Sequence, residues 1–283
     1  MSKIALVCDS AFDLPLEYME KHSIYRIPFS INFPDESILD GNHFDREDFF
    51  ERMRKDLPKT AVADPDRIRR VLQKIRKEGI RDVIMMSVSS ALSGMHNAMR
   101  LMAMEEEDMN IELFDTKTAS IASGLYMVYA QRLVERGLTF QEICSKLREK
   151  MGNAKIYVYF KSVENMIRSG RVPKLRGAIA SVLRISPILT SDEEGKIALV
   201  QKVRGDKNGV KALREILNEK LDQMKEYYFS VGYSRYEKDG DVLESEFAQE
   251  IKDASYYQKN SLTPALAVHG GEMVYLVSWL EVE

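Results

Sequence analysis

The stretch VIMMSVSSALSGMHNA, from Val83 to Ala98, decides the fold. Its first four residues are a short apolar run of the kind that parallel sheets bury on both faces. Hydroxyls then cluster at Ser87, Ser89, Ser90 and Ser93, and after Gly94 a helix-like pattern begins. A strand that breaks into a Ser/Gly turn and enters a helix is a natural anion site. The first helical N–H groups lack partners there, and the helix dipole adds partial positive charge. Gly94 would let a ligand approach the backbone closely. The same serines suit simple helix capping, which on spacing alone is the commoner reading.

Strand and helix signals alternate on both sides of this unit. Residues 4–7 read as a buried strand ended by Cys8-Asp9-Ser10, and Asp13-Leu14-Pro15 as a helix start. Residues 24–31 form a second extended candidate. Helices are expected over residues 45–55 and 65–77; in the second, Ile68, Val71, Leu72 and Ile75 recur at helical spacing. After residues 83–86 come a Met-rich helix to about Glu106, a strand at 111–114 and a helix at 118–135 closed by Gly137. Repeated units of this kind imply a parallel sheet with helices on both faces.

Beyond Gly152-Asn153 the texture changes, and a domain boundary is expected there. Strands are expected at 156–160, 185–189, 228–233, 265–268 and 274–280, and an exposed hairpin arm at 195–203. Helices are expected at 162–171, stopped by Gly170, and at 211–224 and 242–254; residues 178–183 are apolar and compact.

The 283 residues are enough for two compact domains. A composition 45% hydrophobic and 30% charged is that of an ordinary globular protein, and a net charge of −3 offers no basic field for nucleic acid. Cys8 and Cys144 fit neither a disulfide framework nor metal-ligand spacing, so a reducing, cytoplasmic setting is expected. No signal-peptide pattern and no bilayer-length apolar run is present, so membrane contact is expected to be transient at most. Phosphate-loop, dinucleotide-turn, nucleophile-elbow, EF-hand and zinc-hydrolase motifs are absent, and no metal or cofactor is expected.

Four further places carry polar groups that could converge. Asp9-Ser10 sits where ligands bind in doubly wound sheets, at a strand's carboxyl end. Thr60 follows Pro58-Lys59 in an expected loop. Arg171 follows Gly170, and His269 precedes Gly270-Gly271. Each also has a plain reading: a capping turn, a loop hydroxyl, a surface arginine, a backbone-bonded histidine. Brought together, hydroxyls, helix-terminal N–H groups and an imidazole would make a site for a carboxylate or phosphate. Surrounded by Met, Ile and Leu, that site would fit an amphiphile with one anionic end.

CDSAFDLP, PKT, SSALSG, SGR, GAIASVLRISPIL, GKIALVQKVRG and HGG occur in that order over nearly the whole chain. Each is weak alone, but the ordered set resembles the DegV family of bacterial fatty-acid-binding proteins, the fatty acid kinase B subunits. The resemblance implies an α/β fold of two domains with the ligand cleft between them. The first, residues 1–153, is a three-layer α/β/α domain with a parallel sheet; the second, 154–283, is an α/β domain with a mixed sheet. It implies a long-chain fatty acid whose carboxylate meets Thr60, Ser93 with Gly94, and His269, with Arg171 near the pocket mouth or the partner surface. It also implies a non-enzymatic lipid-binding subunit that presents the acid to a separate ATP-dependent kinase subunit, forming an acyl phosphate for phospholipid synthesis. Departures from the family pattern follow three motifs: Ala61-Val62-Ala63-Asp64, Met95-His96 and Glu272-Met273. The alternatives are a small-molecule kinase or hydrolase using Ser93 or His269, and a binding module for another small anion.

Overall fold

The computed structural model describes residues 3–41, 45–172, 186–221 and 224–283. The compact apolar 178–183 segment lies outside them, as does most of GAIASVLRISPIL. The fold is α/β, with an N-terminal parallel sheet and a C-terminal mixed sheet. Four strands build the first sheet in the order Tyr25–Ile27, Ile4–Asp9, Asp82–Ser87, Asn110–Asp115, every pair parallel. Residues 5–8 and 83–86 are buried without a break, so the two inner strands are covered on both faces. Helix Pro65–Lys77 shows why local sequence suffices for such elements. Asp64 caps it through Arg67 N–H at 2.9 Å, Pro65 takes its first turn, and Ile68, Leu72 and Ile75 are buried.

The second sheet has six strands in the order Ile197–Val203, Ser186–Ser191, Lys155–Phe160, Val274–Glu281, Tyr227–Tyr233, Tyr256–Ser261. Only the last pair is parallel. Side chains of Val274–Glu281 alternate between two cores, as strand pleating requires. Val274, Leu276 and Leu280 join the core shared with the first sheet, and Tyr275, Val277 and Trp279 the core beneath the outer helices.

Helix Ile121–Glu135 lies between the sheets, touching strands Ile4–Asp9, Tyr227–Tyr233 and Val274–Glu281. It is buried nearly all round, the state of a helix with no polar face. Gly124 lets it sit close: a Cβ there would lie 2.7 Å from the Phe12 carbonyl oxygen.

Several elements differ from the sequence-based expectation. Residues 265–268 belong to a helix, Pro264–Gly270, not to a strand. A run so short does not distinguish the two states, and Thr263-Pro264 is a helix entry. Residues 24–31 divide at Pro28 into two strands of different sheets, Tyr25–Ile27 and Ser30–Asn32. Thr60 sits in a short strand, Lys59–Ala61, rather than a loop; with Ser37–Leu39 and Ser30–Asn32 it forms a three-stranded antiparallel sheet. The helix expected from Thr118 starts at Ile121, because Lys117 and Ser120 take positive φ. The region expected to be one helix at 242–254 is two, Glu237–Glu246 and Ala248–Asp253, and strand Tyr256–Ser261 was not expected.

Candidate ligand site between the two sheets

A cavity opens between the parallel and the mixed sheet, with about 1000 Å³ of unfilled space counting the solvent at its mouth. The first half of the chain contributes Phe29, Val88 and Leu92 to its wall; the second contributes Ile156, Val158, Phe160, Met166, Leu189, Ile197, Leu262, Leu266, Val274 and Leu276. The wall is aliphatic and aromatic, and it is not rich in methionine. Met85, Met86, Met95 and Met99 are buried in the core and Met104 is exposed, so the methionine-rich stretch packs rather than lines.

Thr60, Ser93, Arg171 and His269 all line this one cavity. Thr60 arrives on its short strand opposite Ile31, and His269 on the last turn of helix Pro264–Gly270. Thr60 Oγ1 and His269 Nε2 lie 2.9 Å apart. Burial, and then the positive charge of Arg171, push the His269 pKa down to about 4, so the ring is neutral near pH 7. Its Nδ1 is buried without a partner among the described residues. Ser93 Oγ accepts the Met95 N–H at 3.2 Å, so the serine serves the helix start and borders the cavity at once.

Arg171 follows Gly170, whose positive φ ends helix Glu164–Ser169. Its Nη1 donates to the Ser169 carbonyl at 2.7 Å, it meets no carboxylate among the described residues, and burial lowers its pKa. The other polar residues of the wall turn their protons away. Ser120 Oγ donates to Asp13 Oδ2, Thr190 Oγ1 to the Ile156 carbonyl and Ser191 Oγ to Thr118 Oγ1. The cavity therefore offers one neutral imidazole, two hydroxyls and one guanidinium against an apolar wall. That combination suits an anionic head with a long apolar body.

Gly94 does not line the cavity. It is the helix N-cap with ordinary φ of −72°, and a Cβ there would meet only Val62 at 3.8 Å. Asp9 and Ser10 do not face the cavity either. Asp9 accepts the Ala11 and Val88 N–H groups at 2.9 and 2.8 Å, and Ser10 Oγ donates to Asp40 Oδ2 at 2.5 Å. Burial above all raises the pKa values of Asp9 and Asp13 to about 7 and of Asp40 to about 6. The partnership of Asp40 was not anticipated; an aspartate in a polar turn carries no signal of burial. Glu272, one of the departures noted above, pairs with Arg54 at 2.5 Å and with Arg235 at 3.1 Å. No group of residues that could hold a metal ion occurs among the described residues, and no helix there is long and apolar enough to cross a membrane.

The sequence profile of the DegV family, described as an uncharacterised protein family, matches residues 3–282. A DegV domain-containing protein of Clostridium perfringens is 30% identical over 271 residues, covering 96% of each chain. A structure described as a stearic acid-binding protein of Eubacterium ventriosum superposes with a TM-score of 0.87 at 25% identity, covering 100% of this chain and 99% of that one. A DegV family protein of Thermus thermophilus, described by its fatty acid binding, superposes with a TM-score of 0.90 at 22% identity over 99% of both chains; that likeness speaks for the fold.

Proposed function

Because the chain belongs to the DegV family, we propose that it binds a long-chain fatty acid in the cavity between the two sheets. The observation that carries this reading is the gathering of Thr60, Ser93, His269 and Arg171 on one largely apolar cavity. The two domains, residues 1–153 and 154–283, hold the acid between them. The acyl chain supplies most of the affinity, at about 0.8 kcal/mol per buried methylene. The carboxylate tolerates burial only when hydrogen-bonded. Neutral His269 donates from Nε2 to Thr60 Oγ1, which frees the Thr60 proton for one carboxylate oxygen. The Ser93 hydroxyl donates to the other. Arg171 stands near enough to depress His269 and offers a positive charge at the polar end.

The chain acts as a carrier rather than an enzyme. It presents the acid's head, in the cytoplasm, to a separate ATP-dependent kinase subunit that forms the acyl phosphate. Native mass spectrometry of purified protein is expected to find a lipid-sized adduct of the mass of a long-chain acid. Ser93→Ala is expected to weaken binding of palmitate roughly ten- to hundred-fold, the worth of one charge-assisted bond, without unfolding the protein. An unchanged affinity by calorimetric titration removes Ser93 from the site, and a lipid-free protein that takes up no added fatty acid ends the proposal.

A further inference from the structure

We propose, resting on the fatty-acid reading, that Asp13 is a positioning residue that sets the helix carrying His269 so that the Thr60–His269 pair faces the ligand's carboxylate. Asp13 belongs to the first half of the chain and the helix to the second. Its Oδ1 accepts the N–H of Thr263 at 2.7 Å, and Thr263 is the N-cap of helix Pro264–Gly270. Its Oδ2 accepts the Ser120 hydroxyl at 2.5 Å, and its carbonyl accepts Gln258 Nε2 at 3.4 Å. One aspartate thus joins the cavity-lining start of the central helix to the start of the His269 helix.

Two features argue that this arrangement is built. Asp13 holds a left-handed backbone, φ 48° and ψ 31°, which a non-glycine residue keeps only where its surroundings hold it. The Thr263 side chain makes no capping bond of its own, so the helix does not fix its own entry. Asp40 braces the next free donor, accepting Ala265 N–H at 3.0 Å. The helix has seven residues, about two turns, so a tilt at Thr263 is carried directly to His269. Asp9, Asp40, Arg26 and Arg46 are the charged groups around this cluster. Burial raises the Asp13 pKa to about 7, and either protonation state leaves an oxygen to accept from Thr263.

The test compares three variants by palmitate titration and by the NMR signal of the His269 imidazole in ligand-free protein. Asp13→Ala removes the acceptor. Asp13→Asn keeps one and suits the left-handed backbone. Thr263→Pro fits the local backbone, since φ there is already −65°, but it removes the donor and the hydroxyl and turns a ring carbon toward Asp13 Oδ1. Asp13→Ala and Thr263→Pro are each expected to shift the His269 signal and weaken palmitate binding at least about ten-fold, whereas Asp13→Asn stays within about two-fold with the signal in place. If Asp13→Ala does not fold, Thr263→Pro decides. An unmoved His269 signal in the folded variants overturns the proposal, as does Asp13→Asn behaving like alanine. Wild-type protein that binds no palmitate ends the fatty-acid reading instead, and the His269 signal still answers for Asp13.

Discussion

Thr60 Oγ1 and His269 Nε2 touch at 2.9 Å across 209 residues of chain, and at that contact two ordinary residues become a pair. Thr60→Val keeps the shape and deletes the hydroxyl. It is expected to cost about 1.5–3 kcal/mol of fatty-acid binding, roughly ten- to hundred-fold, read by calorimetric titration. Unchanged affinity would place the carboxylate elsewhere. His269, depressed to about 4, stays neutral from pH 6 to 8. The unfolded chain, with an imidazole near 6.5, binds the proton more readily between pH 4 and 6.5. The stability contributed by neutral His269 is therefore complete above pH 6.5 and lost as pH falls toward 4. An NMR titration is expected to place the midpoint of this ring near 4; a midpoint near 6.5 would mean that the ring is not buried as described. At this scale the sequence singled out Thr60, Ser93, Arg171 and His269, and the structure places all four on one cavity. Ser93 shows why the sequence could point no further: the same hydroxyl accepts the first N–H of a helix and borders the cavity, and spacing cannot separate the two roles.

Among the elements, helix Ile121–Glu135 was legible to within three residues of its start, with Gly137 marking its end. Its closeness to the first sheet rests on Gly124. Gly124→Ala puts a methyl 2.7 Å from the Phe12 carbonyl oxygen, which is backbone and yields little. The expected cost is about 1–3 kcal/mol, seen as a lower denaturant midpoint with an unchanged slope. An unshifted midpoint would show that the helix has room to move. Helix Pro264–Gly270 was not legible. Ala265 to Val268 is too short a run for periodicity to decide, and its entry is held by Asp13 and Asp40, partners far away in the chain. The split at Pro28 was written in the sequence, since proline lacks the ladder N–H, but its consequence, two strands in two sheets, depends on Ser37–Leu39 and Lys59–Ala61 being near.

For the molecule as a whole, buried carboxylates gather at the seam between the halves, where Asp13 and Asp40 cross it, and just behind it at Asp9. Asp9, Asp13 and Asp40 have pKa values raised to between about 6 and about 7, mainly by burial. A carboxyl raised in the folded state binds its proton more readily there than in the unfolded chain. Its contribution to stability is complete below pH 4 and lost as pH rises through 6 to 7. Above pH 6.5 His269 no longer opposes this trend, so the melting temperature is expected to fall between pH 6.5 and 8. A flat or rising profile by calorimetry would show these carboxylates to be ordinary. The parallel first sheet, the change of texture near Gly152 and most strands and helices followed from runs of neighbouring residues, because periodicity, capping and turn chemistry are properties of consecutive positions. The cavity, the meeting of Thr60, Ser93, Arg171 and His269 on it, and the carboxylate braces behind it are decided by packing; the sequence reached the first two only through the resemblance of its ordered motifs to a family, and the braces not at all. Each of those residues has an unremarkable local role, and only the docking of two sheets on one buried helix removes the water that would otherwise satisfy them.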